Sequence, residues 1–351
     1  MRIGLVAPPW VAVPPPGYGG TEVVIDHLAR GLVARGHEVR LFASGDSTCP
    51  VERSSLYPAA LGIWPDEAAL VELRHVSAAY HALADLDVIH DHTLLGPLAG
   101  PRRGSAPVVA TNHHPFDRGL DDVLSGVDER VGVIAISAAQ AASAKRTRIA
   151  AVIHHGIDVA AFPVGAGGDY AVFLGRMHPD KGVDLAIDAA QLAGIPLVIA
   201  GKCTEVDERA YFADRIRPRL GPAVDFIGEV AWRDKVALLG AARCLINPIR
   251  WNEPFGMVMI ESLACGTPVV ASDAGAASEI VEQGRTGYLA GDVTELAAAV
   301  MASGGLDRGA CRLSARLRFS TERMVAEHLS LYERIVRDGP SRLQGGGDGR
   351  P

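Results

Sequence analysis

The chain alternates short apolar runs with longer amphipathic ones, and the alternation starts twice. Runs at 3–7, 39–43, 87–90, 107–110 and 131–136 have strand length and give way to turn or helix signals. Between the first two, Val24, Leu28, Leu32 and Val33 follow helical spacing over 21–35, and Gly36 supplies a stop. A second helix is expected over 66–84. After His154-His155-Gly156-Ile157-Asp158 the series begins again. Strands are expected at 171–174, 196–200, 224–227, 245–246 and 268–271. Helices are expected at 183–193, 206–219, 232–242, 256–264 and 277–282. The stretch 162–169, with Pro163, Gly165, Gly167 and Gly168, reads as a linker. A last helix over 321–336 takes Thr321 as its expected N-cap, and the Gly-rich tail 338–351 reads as disordered.

Strand–helix alternation implies a mostly parallel, doubly wound sheet. Two starts within 351 residues imply two α/β halves with a cleft between them, and 48% hydrophobic residues are enough for two cores. Ligands of such sheets sit at the carboxyl ends of the strands.

Charge narrows the partners. A net charge of −7, from 41 acidic and 34 basic residues, argues against a nucleic-acid binder. The cluster Lys145-Arg146-Thr147-Arg148 could touch an anionic membrane surface, but reads first as a solvated helix face. No apolar run reaches the 18 or more residues of a membrane span, and the six-residue run at the N-terminus is too short for a signal peptide. Cysteines 49, 203, 244, 265 and 311 are scattered and form no CxxC, which suits buried thiols in a reducing cytoplasm.

Three stretches at strand-to-helix turns carry chemistry. Gly17-Tyr18-Gly19-Gly20-Thr21-Glu22 puts adjacent glycines before a helix N-terminus, where backbone can approach a diphosphate or a sugar; a tight turn explains it equally well. It is not GxGxxG, which disfavours a nicotinamide dehydrogenase. Gly175-Arg176-Met177-His178-Pro179-Asp180-Lys181-Gly182 places two cations around a turn, either converging on a diphosphate or simply solvated. Glu253-Pro254-Phe255-Gly256-Met257-Val258-Met259-Ile260-Glu261 sets one acid at the mouth of a helix expected to begin near Phe255 and a second acid inside it. The amides of Phe255, Gly256, Met257 and Val258 would then face phosphate oxygens. Two acids so far apart cannot share one proton, but could bind separate hydroxyls of one long ligand. His90-Asp91-His92, His113-His114 and His154-His155 invite a zinc reading, yet no accompanying ligand set is evident and no metal is expected.

These stretches, with Gly228-Glu229-Val230 and "GTPVVASDAGAASEIV" in the same order, are similar to the signature of retaining family 4 (group 1) glycosyltransferases of the GT-B fold. The likeness runs over about 1–336. It implies an acceptor-binding Rossmann-like domain at 1–158, a donor-binding one at 159–320, and a helix at 321–337 that packs back on the first. The activity implied is metal-independent transfer of a hexose from a nucleoside-diphosphate sugar to a hydroxyl, with retention. UDP-glucose or UDP-N-acetylglucosamine is the first expectation for the donor, and GDP-mannose the second. No cofactor beyond the donor is implied, and the chain is expected to be a monomer or homodimer.

The resemblance also implies roles. Arg176 and Lys181, with Gly175 in the same turn, would hold the diphosphate. Glu253 and the amides from Phe255 to Val258 would hold the transferred sugar and its phosphate. Glu261 would take the ribose hydroxyls, Val230 would meet the base through its backbone, and Gly19 and Gly20 would pack on the diphosphate. His113, rather than His114, would contact the sugar by register. Where the family often has Asn-Gly-Val-Asp, this chain has His155-Gly156-Ile157-Asp158. A GT-B nucleotide-sugar epimerase and a non-catalytic sugar-nucleotide-binding protein are the alternatives.

Overall fold

The computed structural model describes residues 1–17, 19–62, 67–100 and 106–338. Tyr18, the expected helix start at 66 and the expected tail beyond 338 lie outside them. Two units result: Met1–Gly156 with the final helix, and Ile157–Ser320.

The first unit is built on a seven-stranded sheet. In chain order its strands are β1 (Arg2–Val6), β2 (Glu38–Phe42), β3 (Glu52–Ser54), β4 (Val88–Asp91), β5 (Val108–Thr111), β6 (Val131–Ala135) and β7 (Ile149–Val152). They lie in the order β3-β2-β1-β4-β5-β6-β7, every pair parallel. The helices α1 (Gly20–Ala34), α2 (Ala68–Ala82), α3 (Gly96–Ala99), α4 (Arg118–Leu124) and α5 (Ala138–Ser143) connect them. All four residues of β4 and of β5 are buried; β5 is spelled Val-Val-Ala-Thr, whereas β4 ends on the buried polar pair His90-Asp91, at the carboxyl end of the sheet. The order reverses between β1 and β4. The turns after those two strands, leading to Gly19 and to His92, therefore flank a topological switch point, the usual seat of a ligand.

The second unit repeats the plan with β8 (Ala171–Leu174), β9 (Leu197–Ala200), β10 (Val224–Gly228), β11 (Cys244–Asn247), β12 (Val269–Ser272) and β13 (Gly287–Ala290). Their order is β10-β9-β8-β11-β12-β13, again all parallel. The helices are α6 (Val183–Ala193), α7 (Val206–Tyr211), α8 (Trp232–Ala241), α9 (Met257–Ala264), α10 (Ala277–Ile280), α11 (Val293–Ser303) and α12 (Arg308–Arg318). Here the switch falls between β8 and β11. The last helix, α13 (Thr321–Asp338), belongs to the first unit; it buries Met324, Val325, His328, Leu331, Tyr332 and Ile335, and Val325 packs on Gly31 of α1.

Several expectations change. The edge strand β3 is fully exposed and has no apolar signature to read. The stretch 206–219 is not one α-helix: α7 stops at Tyr211, a π-turn covers Phe212–Ile216, and a 3₁₀ turn follows at Arg217–Arg219, where Pro218 lacks a backbone donor. The supposed linker is tied down. Gly165 N donates to Cys265 O at 3.1 Å, Gly167 N to Gly240 O at 3.0 Å, and Arg308 Nε to Gly165 O at 2.9 Å. Thr321 is the first residue of α13 rather than a side-chain cap, because its Oγ1 is buried and finds no partner. Lys145–Arg148 lies beyond the end of α5, not on a helix face. There Asp121 accepts the amides of Lys145, Arg146 and Thr147, and Arg146 pairs with Asp122 at 2.6 Å. Among the described residues no helix is long and apolar enough to cross a membrane.

Candidate active site

In the second unit two turns at the switch point are locked together. After β8, Gly175 N donates to Ala200 O, and Met177, fully buried, donates its N–H to Lys202 O at 2.9 Å. Pro179–Lys181 forms a 3₁₀ turn ending at Gly182, whose φ of 69° and closeness to the Pro248 carbonyl leave no room for a Cβ. Pro248 belongs to the turn after β11. Arg250, in that same turn, donates its amide to Asp180 O at 2.8 Å and grips the Asp184 carboxylate of α6 with two guanidinium bonds at 2.6 and 2.9 Å. Tyr211 donates to the same carboxylate at 2.8 Å. Burial pushes the Asp184 pKa up, but the bonds from Arg250 and Tyr211 outweigh it and hold the group below its ordinary value.

This scaffold brings Lys181 and Glu253 together, although they are 72 residues apart. Lys181 Nζ lies 2.8 Å from both carboxylate oxygens of Glu253 and 5.3 Å from the centre of the Trp251 ring. Glu253 is held from behind, its carbonyl accepting the amide of Ala276 at 3.1 Å. Arg176 Nη1 meets Glu208 Oε1 at 3.3 Å, while the buried Glu208 also accepts the amides of Thr204 and Glu205. Glu261 pairs with Lys235 of α8 at 2.7 Å. The helix begins at Met257, one residue after the expected 256 and two after Phe255, because Gly256 at φ 98° takes the N-cap position and Phe255 is buried before it. Its free N-terminal amides are therefore centred on Met257 and Val258. Glu261 then lies about 6 Å along the axis from Met257, on the same face. Val230 is half-buried in the turn between β10 and α8.

The first unit holds Gly19, Gly20 and the histidines. Gly19 precedes α1 in an extended conformation, with Pro15 and the Glu22 carboxylate where its Cβ would be; the space at Gly20 is open. Burial raises the Glu22 pKa to about 7. His113 is half-buried and His114 exposed. The His113 ring stacks between His92, at 5.2 Å, and His155, at 5.1 Å, and its Nε2 meets His92 Nδ1 at 3.0 Å. His90 continues the column, bonded to Tyr332 at 2.6 Å and Thr111 at 2.7 Å, and His328 lies 5.1 Å from it. Burial, and then neighbouring imidazoles, push His113 down to about 3. Among the described residues no three His, Cys, Asp or Glu side chains form a metal-holding set.

Comparison with known proteins agrees with this layout. Residues 18–161 match the family model described as Glycosyltransferase Family 4, and residues 168–303 that described as Glycosyl transferases group 1. The chain is 29% identical over 341 residues to the phosphatidyl-myo-inositol mannosyltransferase of Mycobacterium leprae, covering 86% of this chain and 87% of that protein. It is 37% identical over 162 residues to glycogen synthase of Mycobacterium tuberculosis, which spans 42% of this chain and 38% of that one. It superposes on the crystal structure of AviGT4, a glycosyltransferase involved in avilamycin A biosynthesis, with a TM-score of 0.75 and 26% identity over 97% of this chain and 99% of the other. The chain belongs to the family 4, group 1 glycosyltransferases. Its two parallel-sheet units are the Rossmann-like domains of the GT-B fold.

Sequence reasoning missed several residues of this glycosyltransferase. Glu208, Lys235, Asp184, Tyr211, Arg250 and Trp251 all touch or brace the expected donor residues. Arg250, Trp251 and Asp184 lie within three residues of a motif. The others are ordinary charged or aromatic helix residues in sequence, and their partners are set by how helices pack.

Proposed function

We propose that this transferase moves a hexosyl group from a nucleoside-diphosphate sugar to an acceptor hydroxyl, with retention at the anomeric carbon. The observation that carries the reading is the Lys181–Glu253 contact at the N-terminus of α9. A cation suited to a leaving diphosphate and an acid suited to sugar hydroxyls lie within one hydrogen bond of each other, beside free helix amides. Arg176 and Lys181 would take the charge that develops on the departing nucleoside diphosphate. The amides of Met257 and Val258 would add to it, making electrostatic stabilisation the main catalytic term. The leaving phosphate oxygen would accept the proton of the attacking hydroxyl on the same face, so no covalent nucleophile is required. Glu253 would hold the transferred sugar, Glu261 the ribose, Val230 the base through its backbone, and Gly19 and Gly20 the diphosphate. His113, with Nε2 engaged by His92, would offer its remaining ring edge to the sugar.

The mannosyltransferase relatives match over most of the chain, whereas the glucan-forming relative matches less than half of it. This favours a mannosyl donor over the glucosyl or N-acetylglucosaminyl donor suggested first by the sequence. The test is a thermal-shift panel of GDP-mannose, UDP-glucose and UDP-N-acetylglucosamine, followed by transfer assays on inositol-bearing and other polyol acceptors. A donor that binds only the folded chain raises its melting midpoint. No shift with any nucleotide sugar would sink the reading. Sugar-nucleotide turnover without an acceptor product would point to the epimerase instead.

A further inference from the structure

We propose that Lys235 is a positioning residue for the nucleoside end of the donor: its ion pair with Glu261 fixes which carboxylate oxygen meets the ribose and ties the base-reading turn to the ribose-binding helix. This rests on the ribose role proposed above for Glu261. Lys235 lies in the first turn of α8, five residues after Val230, and its Nζ reaches Glu261 Oε1 at 2.7 Å. Among the described residues the Glu261 side chain makes no other hydrogen bond, so Lys235 is the one polar group that orients its carboxylate, and Oε2 is left to a ligand. The backbones on either side are held independently. Thr267 donates to Leu239 O at 2.6 Å, Cys265 Sγ to Val236 O at 3.8 Å, and Tyr170 to Leu238 O at 2.7 Å. Neither helix therefore needs the ion pair to stay in place. An exposed pair of this kind would contribute little. The Glu261 side chain, however, is only 12% exposed, and an oriented carboxylate discriminates between hydroxyl-bearing and hydroxyl-lacking ligands far better than a mobile one.

The experiment titrates UDP and GDP, each against its 2′-deoxy and 3′-deoxy analogue, into the wild type, Lys235→Met, Lys235→Arg, Glu261→Gln and the double variant Lys235→Met/Glu261→Gln. The wild type should prefer the ribonucleotide by about ten- to a hundred-fold, the range of a charge-assisted hydrogen bond. Lys235→Met should collapse that preference to about three-fold or less, Lys235→Arg should restore most of it, and the double variant should match Glu261→Gln. Lys235→Gln replaces the methionine variant should that one not fold. A Lys235→Met protein that keeps the full ribose preference, or that weakens ribo and deoxy forms equally, overturns the proposal while leaving the ribose role of Glu261 standing. A wild type that binds ribo and deoxy forms alike overturns that role, and the proposal with it.

Discussion

Around its switch point the first unit gathers five imidazoles into one column of ring contacts, the half-buried His113 with the buried His92, His90, His328 and His155, against Thr111 and Tyr332. The second unit, on the same topology, sets pairs of opposite charge in the turns and helices that follow its strands: Arg176–Glu208, Lys181–Glu253 and Lys235–Glu261. A nearly dry cluster of rings must stay neutral, whereas half-buried ion pairs can hold fixed charge ready for a charged ligand. The contrast assigns charge handling to the second unit and shape to the first.

Acid should break the first unit most. Burial holds His90, His92 and His155 well below the usual histidine range, His113 at about 3 and His328 at about 4. Below pH 6.5 the unfolded chain protonates these positions and the folded one does not. Stability therefore falls with pH, by about 1.4 kcal/mol per pH unit for each histidine, until its folded pKa is reached. Asp91, raised to about 6, and Glu22, raised to about 7, act in the opposite sense: they favour the fold at low pH, and that contribution is lost as pH rises through their windows. His75, held at about 4 by burial, adds to the first side and Glu72, raised by burial, to the second, so the histidines still outnumber the acids and leave a net loss on acidification. Amide exchange should show the first unit opening between pH 6.5 and 4.5 while the second stays protected; simultaneous opening, or the reverse order, would refute the assignment.

Next in size is Lys181→Ala, expected to lower transfer by on the order of a hundred- to a thousand-fold, the usual cost of losing one stabiliser of developing negative charge. His113→Ala, in the unit assigned to shape, should cost about ten-fold. Equal losses in steady-state kinetics would erase the distinction between the units. Smaller again, and opposite in sign, is Glu22→Gln. With the acid raised from 4.5 to about 7 by burial, the ionised form costs roughly 3 kcal/mol above pH 7. The glutamine should raise the melting temperature at pH 8 and change little at pH 5; no gain at pH 8 would mean that the carboxylate is solvated or paired. Least affected should be Arg146→Ala, which breaks an exposed pair with Asp122 and should alter denaturant-derived stability by less than about 0.5 kcal/mol.

Much of the fold was legible because buried parallel strands such as β5 and β6 are spelled in nearly continuous apolar residues, and helices such as α1 and α6 show one apolar stripe. Strands β3, β7 and β13 escaped notice: each lies at a sheet edge with a neighbour on one side only, β3 fully exposed and β7 and β13 partly so, and no continuous apolar run is imposed. In the site, Lys181 and Glu253 could be picked out separately, since each sits in a motif at a strand-to-helix turn. Their direct contact could not, because it depends on Gly182 meeting Pro248 and on Arg250 reaching Asp184. By itself, then, the amino-acid order determined the two α/β series, the turns that carry chemistry and the residue types within them, all set by local periodicity and backbone freedom. Only the tertiary structure decided that each expected cation or acid is braced by a partner from another segment, and that five scattered histidines form one column, because such contacts are made by packing between segments whose separation along the chain carries no information about their distance in space.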